Sequence, residues 1–286
     1  MTGIAVPNSA GTRAPRRKAP AGACDSHIHI YDPRFPSTGD LSRQPANGTV
    51  ADYRRLQARL GTSRTVVVTP AVYRTDNRAT LDALRALGAE SARGIAVVHP
   101  EVTDAELQAL DAGGIRGIRF TLFDPATAVT TFEMVEPLAN RVRELGWHVQ
   151  LHWRADQIVA QAALLGRLPG TIVFDHMARL PQPDGAGHAA FGIVARMLET
   201  GRTWVKLSGP YLDSKGPDYA DRRQVVQAFV KQAPERLVWG SDWPHPTERQ
   251  AKPDDAAMCD LFAGWIGDEA LGERILAGNP AQLYGF

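Results

Sequence analysis

Histidine is the residue type from which chemistry can first be read in this chain. Eight occur in 286 residues, and His27 and His29 stand one residue apart in ACDSHIHIYDP at 23–33, an apolar, β-prone run. Residues two apart in a strand share a face, so both imidazoles can point at one ion or one substrate oxygen. The pair alone fits a half-exposed strand equally well, and its weight comes from what stands elsewhere. His152 closes WHVQLHW, His176 closes GTIVFDH, Arg119 lies in GIRGIRF and Asp242 in RLVWGSDWPHP. Neutral imidazole is the commonest zinc ligand, and a carboxylate can complete a site that keeps one position open to water. The same carboxylate can instead take a proton from water. Taken singly, each of these residues can also be a hydrogen-bonded core or turn residue.

Common placement requires elements that converge. Eight apolar, β-branched runs begin near residues 24, 64, 93, 114, 147, 170, 203 and 236. Between them lie segments with i, i+3, i+4 apolar spacing, among them ATLDALRALGAES, DAELQALDAG and ADQIVAQAALLGRL. Asp76 or Asn77 is placed to cap the first of these and Thr103 or Asp104 the second. Runs that are apolar on both faces suit strands covered by helices on one side and a closed core on the other. Eight strand–helix units over about 260 residues predict an α/β fold, a TIM (β/α)8 barrel, whose chemistry sits at the carboxyl ends of the strands. A doubly wound sheet is the alternative, but no GxGxxG or GxxxxGK[ST] follows any strand. In the barrel, His27, His29, Arg119, His152, His176 and Asp242 all fall at strand ends. Asp25 is expected on the opposite face from His27 with a structural role. His148 is expected to face away from the mouth, His99 to sit near it without a motif, and His188 to lie in a loop.

Composition narrows the function classes. Thirty-two basic side chains against 31 acidic ones give no field that favours nucleic acid or an acidic membrane. Cys24 and Cys259 form neither a disulfide framework nor a thiolate zinc motif, which makes a cytoplasmic location the default expectation. Residues 1–20, with Arg13, Arg16, Arg17 and Lys18 but no long apolar stretch, read as a flexible N-terminal tail, and 21–286 as one barrel domain.

CDSHIHIYDP, GIRGIRF, FDHMARL and LVWGSDWPHP, with the ending NPAQLYGF, together resemble the amidohydrolase superfamily, in particular its 2-pyrone-4,6-dicarboxylate lactonase-like branch, from about residue 20 onward. The resemblance implies a distorted TIM barrel in which His27, His29, His176 and Asp242 surround a scissile lactone carbonyl. Asp242 would activate water, and the histidines, or a zinc ion they hold, would polarise the carbonyl. Arg119 matches an arginine that grips a substrate carboxylate. His152 stands where the pyrone-dicarboxylate enzyme has a tyrosine and zinc-dependent members have a histidine. This gives the candidate ligand set His27, His29, His152 and Asp242 for one divalent metal, with a metal-independent site as the alternative. No further arginine follows Arg119 in FTLFDPATAV, and KLSGPYLDSKG offers Tyr211 and Lys215. Tyr73, Thr121, Ser208 and Tyr211 are candidates for hydrogen bonds to substrate, and Trp153 and Trp243 for an apolar wall. The expected activity is hydrolysis of a small anionic or hydroxylated lactone. A sugar-lactone isomerase, a zinc-dependent decarboxylase and a non-catalytic binding barrel are the alternatives; oligomeric state is left open.

Overall fold

The computed structural model describes residues 3–37 and 46–286. Eight strands, β1 (Cys24–Ile28), β2 (Arg64–Val68), β3 (Ala92–Ala96), β4 (Ile115–Thr121), β5 (His148–His152), β6 (Ile172–Phe174), β7 (Thr203–Leu207) and β8 (Leu237–Trp239), pair in parallel in chain order. The chain just past β8 closes the ring onto β1. Asp242 N donates to His27 O at 2.9 Å, and His29 N donates to Trp243 O at 2.8 Å. The fold is therefore the expected TIM-type barrel.

Helices α1 (Val50–Leu60), α2 (Arg78–Leu87), α3 (Asp104–Ala112), α4 (Val135–Arg143), α5 (Ala155–Ala160), α6 (Ala162–Arg167), α7 (Ala189–Glu199) and α8 (Arg222–Gln232) follow the strands, and α9 (Asp255–Ile266), α10 (Glu269–Glu273) and α11 (Asn279–Tyr284) complete the chain. The single helix expected over ADQIVAQAALLGRL breaks at Gln161, where ψ turns to 21°. Thr103 and Glu106 form a reciprocal capping box on α3. Asn77 holds the cap position of α2 without capping it, because its Oδ1, the capping acceptor, instead accepts from Val97 N and Thr69 Oγ1. α11 and the residues after it plug the amino-terminal end of the barrel, where Tyr284 packs with Cys24, Val66, Val68 and Ile95.

One irregularity decides how β1 presents its histidines. Asp25 pairs with Thr65 and Ile28 with Val67, so Ser26 and His27 together oppose Val66. This is a β-bulge, and the extra residue reverses the alternation. Before it, Cys24 faces the barrel interior with Val66; after it, Ile28 joins the outer core beneath the helices. His27 and His29 thereby turn inward, and Asp25 faces the other way, as expected.

Residues 3–20 lie against the barrel rather than apart from it, so the expectation of a flexible tail gives way to a packed segment. Val6 is buried, Trp243 Nε1 donates to Pro7 O at 2.9 Å, and Arg59 Nη1 donates to Ala10 O and Gly11 O at 3.1 and 2.9 Å. Two of the basic residues that suggest solvation share an acid: Arg13 and Arg16 reach Asp260 at 2.7 and 3.7 Å.

Candidate active site

His29 Nδ1 lies 2.8 Å from Val68 O, and a carbonyl only accepts, so Nδ1 carries the proton and Nε2 presents a bare lone pair. That Nε2 is 3.4 Å from His27 Nε2, and Asp242 Oδ1 lies 3.6 Å from His27 Nε2 and 3.7 Å from His29 Nε2. Asp242 reaches this point with φ +63°, and Gly240 lets the strand approach, since a Cβ there would stand 2.7 Å from His27 Cβ and N. Tyr211 Oη donates to Asp242 Oδ2 at 2.7 Å and leaves Oδ1 to the imidazoles.

β6 contributes two groups where strict alternation would allow one. Asp175 continues the inward phase; His176 should face out, but φ is +49°, +54°, +56° and +50° at His176, Met177, Ala178 and Arg179. Left-handed backbone costs an L-residue about 1–2 kcal/mol, so the surrounding contacts must hold this turn in place. It brings the His176 ring to within 4.7 Å of the His27 ring, with Nδ1 2.9 Å from Ser208 Oγ. It also sends Arg179 over Phe123, with donors to Asp213 at 2.7 and 3.0 Å and to His152 Nε2 at 2.9 Å.

Beneath the histidines, Asp175 is fully buried among Arg119 Nε at 2.8 Å, Gln150 Nε2 at 3.1 Å, His27 Nδ1 at 3.4 Å and Lys206 Nζ at 3.8 Å. Burial alone would raise its pKa, but Arg119, His27 and Lys206 outweigh it and hold the carboxyl well below its usual range. Burial presses Lys206 down to about 8. It also lowers all four site histidines: His27 with help from Lys206, His29 and His176 from His27, and His152 from Arg119 and Arg179. The imidazoles are therefore neutral at neutral pH and serve as acceptors or ligands.

The cluster forms the floor of a cleft of about 580 Å³ whose wall includes Tyr31, Arg119, Thr121, Phe123, His152, Arg179, Tyr211 and Arg249. Of the residues singled out in the sequence, His27, His29, His176, Asp242, Arg119, His152, Tyr211 and Thr121 meet here. Tyr73 does not line the cleft. Its turn, Ala71–Tyr73, directs Ala71 and Val72 there, while Tyr73 Oη accepts from Asp32 N at 3.1 Å behind Tyr31. Trp153, next after inward His152, must face out, and packs edge-on against Phe132 in the outer core. Trp243 is likewise buried against Tyr53. His99 lines a separate groove between α2 and α3, and His188 caps α7. Asp175, Arg179, Tyr31 and Lys206 are additions; Asp175 and Arg179 stand on either side of His176 in FDHMAR, and strand phase alone marks Asp175 as inward.

Three donors, His27 Nε2, His29 Nε2 and Asp242, converge as a divalent-metal site requires. His152 does not join them, because the Arg179 guanidinium occupies its Nε2. The four-ligand set expected from the sequence thus reduces to three.

No helix among the described residues is long and apolar enough to cross a membrane. The amidohydrolase family model matches residues 24–286. The chain is 33% identical to the 2-pyrone-4,6-dicarboxylate hydrolase of Comamonas testosteroni, covering 94% of this chain and 92% of that one. It is also 33% identical to a 4-sulfomuconolactone hydrolase of Rhizobium radiobacter, with 93% and 91% covered. The D-galactarolactone isomerase of Agrobacterium fabrum is 30% identical, with 95% and 94% covered. A family-model match over nearly the whole barrel, with relatives at 30–33% identity covering more than nine-tenths of both chains, shows that the chain belongs to the amidohydrolase family.

Proposed function

We propose that this protein hydrolyses a small anionic lactone, with Asp242 as general base. The observation that carries the reading is Asp242 Oδ1 facing two neutral imidazoles at the floor of a cleft walled by arginines. The three relatives named above act, by their names, on a pyrone dicarboxylate, a sulfo-substituted muconolactone and a galactarolactone. Arg119 receives a substrate carboxylate, to which a planar guanidinium can donate twice. Arg179, which the sequence reading passed over, adds a second guanidinium to the wall, its charge shared with Asp213.

The chain's residues suffice for a balanced reaction. Water between Asp242 and the lactone carbonyl gives a proton to Asp242 as its oxygen bonds to the carbonyl carbon. In the tautomer in which Ser208 donates to His176 Nδ1, His176 Nε2–H is free to donate to the developing oxyanion. The ring C–O bond then breaks, and the leaving oxygen takes the proton from Asp242. A divalent ion, where bound, would be held by His27, His29 and Asp242 and would supply Lewis-acid polarisation.

A panel of 2-pyrone-4,6-dicarboxylate, muconolactones and sugar lactones, followed by loss of the ring chromophore or by acid release, tests the reading. Asp242→Asn should lower kcat by about 10²–10⁴-fold, the range of positioned acid–base catalysis. Turnover within tenfold of the native protein would remove Asp242 from the role. The isomerase relative supports a second outcome from the same site, acyl transfer between hydroxyls; acid release distinguishes hydrolysis from it.

A further inference from the structure

Asp242 is the end of a chain of hydrogen bonds, running from the cleft into the protein, that the lactonase reading leaves unused. Tyr211 Oη contacts Asp242 Oδ2 at 2.7 Å and His245 Nδ1 at 3.0 Å. His245 Nε2 lies 3.2 Å from Asp255 Oδ2, and the same carboxylate oxygen accepts from Ser9 Oγ of the N-terminal segment. Ser9 is itself held by Arg59 Nη2 at 2.6 Å. His245 and Asp255 are fully buried.

The donor order follows from chemistry. An ionised Asp242 only accepts, so the single Tyr211 proton goes to it, and Tyr211 must then accept from His245 Nδ1–H; a second proton, shared between His245 Nε2 and Asp255 Oδ2, completes the chain. Burial and the neighbouring Asp242 keep Tyr211 well above its ordinary pKa and therefore a phenol. His245 in turn has φ +55° and sits in the same turn as Asp242, with its N donating to Asp242 O at 2.8 Å.

We infer that His245 and Asp255 are positioning residues which act through Tyr211 to hold the Asp242 carboxylate with Oδ1 toward His27 and His29. The inference rests on Asp242 being the base. His245 aims the phenol, Asp255 aims His245, and Ser9 anchors Asp255, so the segment before the barrel reaches the reacting carboxylate. A carboxylate released at Oδ2 rotates, and fewer bound substrates meet a correctly placed base; turnover falls while binding, set by the arginine wall, does not.

The test is a double-mutant cycle on the lactone turned over fastest in the panel, with melting temperature measured for each variant. His245→Gln removes the donor at Nδ1, and His245→Asn keeps an amide donor near it. His245→Gln should lower kcat about 10–100-fold with KM within twofold, and His245→Asn should restore at least a third of the loss on a logarithmic scale. In a Tyr211→Phe background the same His245→Gln change should cost less than threefold more. Full multiplicativity in that background, or a KM effect equal to the kcat effect, overturns the inference. Asp255→Asn, which alters no shape, should show the same kcat-only pattern and gives the answer should both His245 variants fold poorly. Asp242→Asn run alongside separates the two failures: its activity overturns the base assignment, whereas an inactive Asp242→Asn with a multiplicative cycle overturns the positioning chain alone.

Discussion

Arg119 has two partners by geometry, a buried carboxylate beneath it and a substrate carboxylate in the cleft, and Arg119→Met separates them. Asp175 is fully buried and Arg119 only 5% exposed, with Nε at 2.8 Å from Oδ2. Removing one partner of such a pair costs about 3–5 kcal/mol because the remaining charge is stranded. Gln150 Nε2 at 3.1 Å and Lys206 Nζ at 3.8 Å still face Asp175, which places the expected loss at about 3 kcal/mol. At about 2–4 °C per kcal/mol, the melting temperature should fall by roughly 6–12 °C. Adding Asp175→Asn removes the stranded charge, so the double variant should regain more than half of that drop. Binding gives an independent measure. A lost hydrogen bond to a charged group is about 1.5–3 kcal/mol, or roughly 10–150-fold in KM, for a lactone with a carboxylate, and under threefold for one without. Thermal melts of the single and double variants, with steady-state kinetics on paired charged and neutral lactones, read both effects. Melting within 2 °C of the native protein would refute the stranded-charge argument, and equal KM changes on both lactones would refute the clamp.

Two other perturbations test the electrostatics. Burial lowers His148 to about 3 from 6.5, so between those values the unfolded chain binds a proton that the folded one does not. Its stabilising contribution is whole above pH 6.5 and is lost as pH falls toward 3, by about 2.7 kcal/mol at pH 4.5. Urea titrations at pH 7 and 4.5 should accordingly show a smaller acid loss for His148→Gln than for the native protein, by about 2–3 kcal/mol. An identical acid loss would mean that His148 titrates normally. For metal, zinc taken up in calorimetric titration should vanish with His29→Ala and keep its affinity within threefold in His152→Gln, since His152 Nε2 is engaged by Arg179. A tenfold drop in His152→Gln would restore the four-ligand set.

Strand number, strand order and the strand-end location of the site were legible because parallel barrels write them as β-branched runs spaced by amphipathic helices. The pairing of His27 with His29 was legible too, since parity requires it. Which way the pair faces was not, because it depends on a bulge in which Ser26 and His27 share one partner, and no residue in CDSHI marks that insertion. The same local geometry explains the errors. Alternation placed Trp153 outside once His152 was inside, so the two could never both line the cleft. His176 shares the interior with Asp175 only because the chain enters the left-handed region, and glycine, the usual signal for that region, is absent from HMAR.

The missed cation, Arg179, follows from that turn. Four consecutive left-handed residues swing a side chain from beyond the end of β6 back across the mouth, where Phe123, Asp213 and His152 hold it. Read as a strand followed by an ordinary loop, FDHMARL offers one histidine; as folded it offers a carboxylate, an imidazole and a guanidinium within five residues. The turn thus has a physical reason to persist despite its local cost. Asp175 beneath the floor and Arg179 on the wall are fixed relative to His176 by one short piece of backbone, and relaxing any of the four φ angles would displace His176 and Arg179 together. The segment that sequence periodicity describes least well is therefore one that places both a carboxylate and a guanidinium at the cleft, the charges on which the proposed anionic substrate rests.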